Sequence, residues 1–130
     1  MSPTNQKLDV VALKGVPVLV VEDTWHVAKA MKSALEQLGM QVIGPPATCA
    51  EAKRLMVKKK PKMALVDVNL KRETAYSLID VLHAQSVQVI VVSGCAAPLA
   101  SKERVAALLQ KPFSGSELTT TLCAVVHLAP

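Results

Sequence analysis

Five short apolar runs punctuate the sequence, and between most of them apolar residues recur at steps of three and four. The first run, "VPVLVVED" at residues 16–23, is β-branched and ends in two acids, which predicts a buried strand. A helix follows, with Thr24 as its N-cap. Ala28, Met31, Leu35 and Leu38 form its inner stripe, and Gly39 is its stop. "MQVIG", 40–44, predicts a second strand, broken by Gly44, Pro45 and Pro46. Thr48 caps a second helix that runs to about Lys60, where Pro61 ends it. "KMALVD", 62–67, predicts a third strand, and a helix from about Thr74 to His83 buries Leu78, Val81 and Leu82. "VQVIVVSG", 87–94, and "VAALLQ", 105–110, predict the last two strands. A final helix from about Ser114 turns Leu118, Leu122 and Val125 inward.

Strands that alternate with helices predict a parallel sheet with helices on both faces. Nearly continuous apolar strands agree, because such a sheet is covered on both sides. About a dozen residues join the last two strands, near the minimum for a parallel crossover, so a reduced fourth helix is expected there. Residues 1–14 read as a tail or a short extra element before a single domain over 15–130.

Composition narrows the class. Of 130 residues, 51% are hydrophobic, enough for a substantial core. No apolar run approaches the roughly 18 residues that span a bilayer. The N-terminal "MSPTNQKLDVVALKG" has no secretory pattern, so the expected location is the cytoplasm, with no membrane contact. The net charge of +5 raises the question of nucleic acid. The densest basic run is "VKKKPK" at 57–62, and Trp25, Tyr76 and Phe113 are the only aromatics. With so few rings for base stacking, the run reads as a solvated helix end favoured by the helix dipole. It is equally suited to an acidic partner protein, and no direct nucleic-acid contact is expected. Cys49, Cys95 and Cys123 lack metal or redox spacing and read as small core residues. His26, His83 and His127 fall within predicted helices and read as ordinary helix residues.

The polar residues that interrupt this pattern fall at the C-terminal ends of strands, where open parallel sheets bind ligands. They are Glu22 and Asp23, then Asp67, then Ser93 and Gly94, then Gln110 and Lys111. Three neighbouring carboxylates repel one another, and a hard divalent cation relieves the conflict. Mg²⁺ takes one or two carboxylates and a phosphate oxygen, which suits Asp23 and Asp67 facing a phosphoryl group. Lys111 supplies a mobile point charge for a carboxylate or a phosphoryl oxygen, and Ser93 supplies a hydroxyl. Carboxylates form aspartyl-phosphates, and that transfer needs charge neutralisation more than a histidine base. Other nucleotide and hydrolase signatures are absent: there is no G-x-x-x-x-G-K-[ST] loop, no G-x-G-x-x-G turn and no G-x-S-x-G elbow.

In "VLVVED" at 18–23, "ALVDVNL" at 64–70, "VVSG" at 91–94 and "LQKPF" at 109–113, the chain resembles the receiver domain of two-component response regulators over residues 16–128. The resemblance implies a flavodoxin-like (CheY-like), doubly wound sheet of order 2-1-3-4-5. It implies that Asp67 is the phosphoacceptor, served by a histidine kinase or a histidine phosphotransfer protein in a bacterial phosphorelay. Glu22, Asp23, Asp67 and the main-chain carbonyl of Asn69 would hold Mg²⁺ or Mn²⁺. Ser93 and Lys111 would bind the phosphoryl group and carry the switch, and the Lys111–Pro112 bond is a cis candidate. The activity implied is self-catalysed phosphorylation and dephosphorylation that changes protein contacts, not metabolic catalysis. A downstream protein partner, a possible homodimer and a stand-alone, single-domain organisation belong to the same expectation. "VIGPPATCAEA" at 42–52 is similar to text found in one bacterial branch of single-domain receivers.

The chain departs from the family pattern in three places. Leu108 stands where many receivers carry Tyr or Phe, Lys62 stands where an acid commonly precedes the third strand, and the fourth helix is weak. Leu108 motivates an alternative, a protein-binding module that keeps the site but does not switch. A small phosphatase of the haloacid-dehalogenase type is a further alternative. It wants a second acid two residues after the first, where this chain has Asn69.

Overall fold

The computed structural model describes residues 9–46, 48–68, 70, 74–94 and 104–128. Five strands, β1 (Pro17–Val21), β2 (Gln41–Ile43), β3 (Met63–Asp67), β4 (Gln88–Ser93) and β5 (Ala107–Gln110), form one parallel sheet of order β2-β1-β3-β4-β5. Among the described residues four α-helices accompany it: α1 (Trp25–Gln37), α2 (Cys49–Lys59), α3 (Tyr76–Ala84) and α4 (Gly115–Val126). None of them is long and apolar enough to cross a membrane. The expected reduced helix between β4 and β5 falls mostly on residues outside the described set.

The apolar runs are continuous because successive side chains enter two different cores. Leu19, Val21, Ala64, Val66, Val89 and Val91 pack with α2 and α3 against Ala52, Met56, Leu78, Ile79 and Leu82. Val18, Val20, Met63, Leu65, Ile90 and Val92 pack on the other side with Met31 and Leu35 of α1 and Leu118 and Leu122 of α4.

Local signals set the helix ends. Thr48 Oγ1 accepts from Glu51 N at 3.2 Å at the start of α2. Ser114 and Glu117 form a reciprocal capping box on α4, each bond 3.0 Å. Two expectations need correction. Thr24 is the N-cap residue of α1, as expected, but its side chain makes no cap bond; its own N–H donates to Glu22 Oε2 at 3.1 Å. In α3 the third inward residue is Ile79, while Val81 is only partly buried, because the helix starts at Tyr76 and turns a different stripe to the sheet. Of the two readings of residues 1–14, the short extra element holds at Val10–Leu13, which form a 3₁₀ turn against α4 with Leu13 fully buried.

After β2 the chain turns at Gly44, whose φ is +92°. A Cβ there would overlap the Pro46 ring and stand 2.8 Å from Pro46 N. The Gly44–Pro45 peptide is cis, which the sequence reading did not anticipate. Gly44→Ala is expected to destabilise the domain by about 1–3 kcal/mol, since it combines a left-handed φ with a backbone clash. Urea unfolding followed by circular dichroism measures this.

Candidate functional site

The alternation that builds the cores also aims the charged residues. Asp67 is the last residue of β3 and continues the face of Met63 and Leu65, toward α1 and α4. Glu22 follows β1 in the phase of Val18 and Val20, and Lys111 follows β5 in the phase of Leu109. All three meet at the C-terminal edge of the sheet. Lys111 Nζ donates to Asp67 Oδ2 at 2.9 Å and to Glu22 Oε1 at 3.0 Å. Both carboxylates are buried, with Glu22 at 2% and Asp67 at 6% exposure. The ammonium therefore supports two acids, where the sequence reading gave it a carboxylate or a phosphoryl oxygen. A signal for the second contact existed: an acid at the end of the first strand, two residues before a helix cap.

Burial by itself would weaken the hold of Lys111 on its proton. The hydrogen bonds and charges of Asp67 and Glu22 outweigh that effect and raise its pKa above the ordinary lysine value of 10.5.

Ser93 ends β4 and is buried, and its carbonyl accepts the Lys111 N–H at 2.7 Å. The β3–β4 register sets Asp67 beside Val92, so Ser93 lies one residue beyond it on the neighbouring strand. Gly94 follows with open space where a side chain would stand. The Lys111–Pro112 peptide is cis. Asp23, next to Glu22, is half-buried. Asn69 lies outside the described residues.

Among the described residues, no three His, Cys, Asp or Glu side chains form a group arranged to hold a metal ion. Glu22 and Asp67 instead point at the shared ammonium. The chemistry of the set still suits a hard cation. Glu22, Asp23 and Asp67 bring three carboxylates to one sheet edge, and Lys111 binds two of them. Every donor among the three is oxygen.

The surroundings add three observations. Trp25 is 73% exposed, and Lys29 Nζ lies 4.9 Å from its ring centroid. His127, read as an ordinary helix residue, ends α4 with Nε2 at 3.1 Å from Asp9 Oδ2. Cys49 and Cys123 are buried free thiols, as their core reading expects, while Cys95 lies outside the described residues.

A doubly wound parallel sheet with its acids and lysine gathered at the C-terminal strand ends defines a CheY-like α/β protein of the flavodoxin-like fold. Residues 18–123 match the response regulator receiver domain, and the chain belongs to that family. No curated protein matches it by sequence. Among solved structures it is similar to a CheY-like receiver domain from Methylobacillus flagellatus, at 24% identity and TM-score 0.77, over 86% of this chain and 99% of that one. It is similar also to the non-phosphorylated HemR receiver domain from Leptospira biflexa, at 22% identity and TM-score 0.79, over 88% and 97%. The response regulator PhyR from Brucella abortus matches at 22% identity and TM-score 0.76 over 90% of this chain. The chain spans only about half the length of PhyR, 50%.

Proposed function

We propose that the chain is a phospho-accepting receiver in which Asp67 takes a phosphoryl group from a phosphohistidine donor, a histidine kinase or a histidine phosphotransfer protein. The observation that carries this reading is the pair of buried carboxylates, Glu22 and Asp67, held by one lysine at the C-terminal edge of the sheet. A carboxylate oxygen of Asp67 forms the new bond to phosphorus as the bond from phosphorus to the donor nitrogen breaks, and the imidazole leaves with a proton. Glu22 and Asp23, with Asp67 and the Asn69 carbonyl, would hold Mg²⁺ or Mn²⁺, which when bound offsets the negative charge of the incoming group. Lys111 exchanges its bond to the Asp67 carboxylate for one to a phosphoryl oxygen. Ser93 offers its hydroxyl to another, and this exchange alters contacts with a downstream protein.

The test is incubation with acetyl phosphate and Mg²⁺, followed by intact-protein mass spectrometry. The expected product carries one phosphoryl group, is removed by hydroxylamine and does not form with EDTA present. No adduct under any donor would refute the reading.

Trp25 offers a second measurement. Its exposed indole lies two residues after Asp23, so Mg²⁺ is expected to change its emission saturably. Asp23→Ala is expected to remove the response.

One observation favours a second reading, a module that binds protein without switching. Leu108, in the position where many receivers carry a ring, is 46% exposed on the edge strand β5. Partner affinity that stays the same with and without the phosphoryl group would select it.

A further inference from the structure

The charge of the chain is unevenly placed. Residues 53–62 contain six of its 15 basic residues, Lys53, Arg54, Lys58, Lys59, Lys60 and Lys62, and no acid. The other nine basic residues stand against 10 acids, so the positive net charge comes entirely from this one stretch. Among the described residues none of the six has an ion-pair partner. The helix dipole accounts for Lys58 and Lys59, which lie in the last turn of α2. It does not account for Lys53 and Arg54 in mid-helix or for Lys62 beyond the helix end.

Of these cations Lys60 lines a cleft of about 390 Å³, of mixed polar and apolar lining, between the end of α2 and the α3–β4 turn, and Lys58, Lys59 and Lys62 are each next in the chain to one of its lining residues. Met56, Pro61 and Val87 line it with Lys60 and Gln85. Val57 stands at its lip, 70% exposed. Lys60 takes a left-handed conformation, φ 51°, that carries the chain directly from the helix to Pro61 and Lys62. Lys62 N donates to the Pro17 carbonyl at the N-terminal edge of the sheet. The cleft therefore lies at the opposite end of β3 from Asp67, roughly 15 Å away along the strand.

We propose that this surface docks an acidic protein segment that carries one aliphatic side chain, independently of the state of Asp67. The aliphatic group enters the cleft over Met56, Pro61 and Val87 and covers Val57, while flanking carboxylates meet the lysines. Charge complementarity draws the partner in, because the rest of the molecule has a slight negative surplus. Nucleic acid fits less well: no aromatic ring lines the cleft for stacking, and an exposed valine gains nothing against phosphate. A lipid surface also fits less well, since it requires a broad apolar face and this one is a concave cleft with a single exposed aliphatic residue.

The probe is a fluorescein-labelled nonapeptide of aspartates and glutamates around a central leucine, read by anisotropy against the full chain at low salt. The expected Kd is on the order of tens of micromolar, weakening as salt rises. Lys58→Gln/Lys59→Gln/Lys62→Gln is expected to weaken it about tenfold. Val57→Ser, and alanine for the peptide's leucine, are expected to weaken it several-fold. All the substituted side chains are exposed, and thermal unfolding of each variant verifies that it folds. An unchanged affinity in either lysine or valine variant would overturn the proposal. So would tighter binding of a mixed-sequence DNA duplex, or of phosphatidylserine-containing vesicles, than of the peptide.

Discussion

Asp67→Asn is expected to abolish the phosphoryl adduct completely while leaving the domain folded. The amide oxygen is uncharged and a far weaker nucleophile than a carboxylate, so the bond to phosphorus does not form. The amide has nearly the same shape as the carboxylate, and its oxygen still accepts from Lys111. Lys111 also keeps its 3.0 Å bond to Glu22, so no cation is stranded in the site. The change in stability is therefore expected to stay within about 1 kcal/mol. Mass spectrometry after acetyl phosphate and Mg²⁺ reads the first outcome, and thermal unfolding the second. An asparagine variant that takes up phosphoryl as well as the parent does would place the acceptor elsewhere.

Lys111→Met is expected to be the most damaging substitution to stability at the site. It keeps the length and apolar stem of the side chain and removes only the charge and its donors. Glu22 and Asp67 would then remain buried beside each other with no ammonium between them. Removing one partner of a buried ion pair costs about 3 kcal/mol or more, and here two acids lose their partner together. The thermal midpoint should fall by roughly 10 °C for a domain of this size. Mg²⁺ is expected to restore part of the loss, because a cation bound to the same carboxylates stabilises the folded state by mass action.

The pH dependence follows from the direction of the lysine shift. Lys111 holds its proton more tightly in the folded chain than in the unfolded one. Its contribution is therefore fully present below about pH 10.5, and is lost as pH rises through the folded-state value. The stability gap between the parent and Lys111→Met should stay constant through neutrality and narrow only on the alkaline side. Urea midpoints across that range measure it. A gap that persisted at high pH would mean that the hydrogen bonds of the neutral amine, not its charge, hold the site together.

Much of the fold is legible in local pattern. Continuous β-branched runs mark strands covered on both faces, and the two cores take alternate residues from each run. Thr48 and Ser114 are readable as caps because the bond they make reaches only three residues along the chain. The four strand-end motifs are readable because each is contiguous. Where the local reading fails, a distant contact intervenes. The sequence leaves Leu13 in either a tail or a short extra element, because its partners in α4 lie about a hundred residues later. Val81 reads as core because the spacing fits, but α3 buries Ile79 and leaves Val81 only partly buried.

By itself, the sequence determined which residues would form strands and helices, and that its carboxylates and lysine would stand at strand ends. These are consequences of short-range periodicity, which is written in the order of the residues. Only the tertiary structure decided that Lys111 would bind Glu22, 89 residues away, as well as Asp67, 44 residues away. It also decided that Lys60, within the surplus basic stretch, would line a cleft at the opposite end of the sheet. Those outcomes depend on strand register and on how the helices rest on the sheet, and both are set by the packing of residues far apart in the chain.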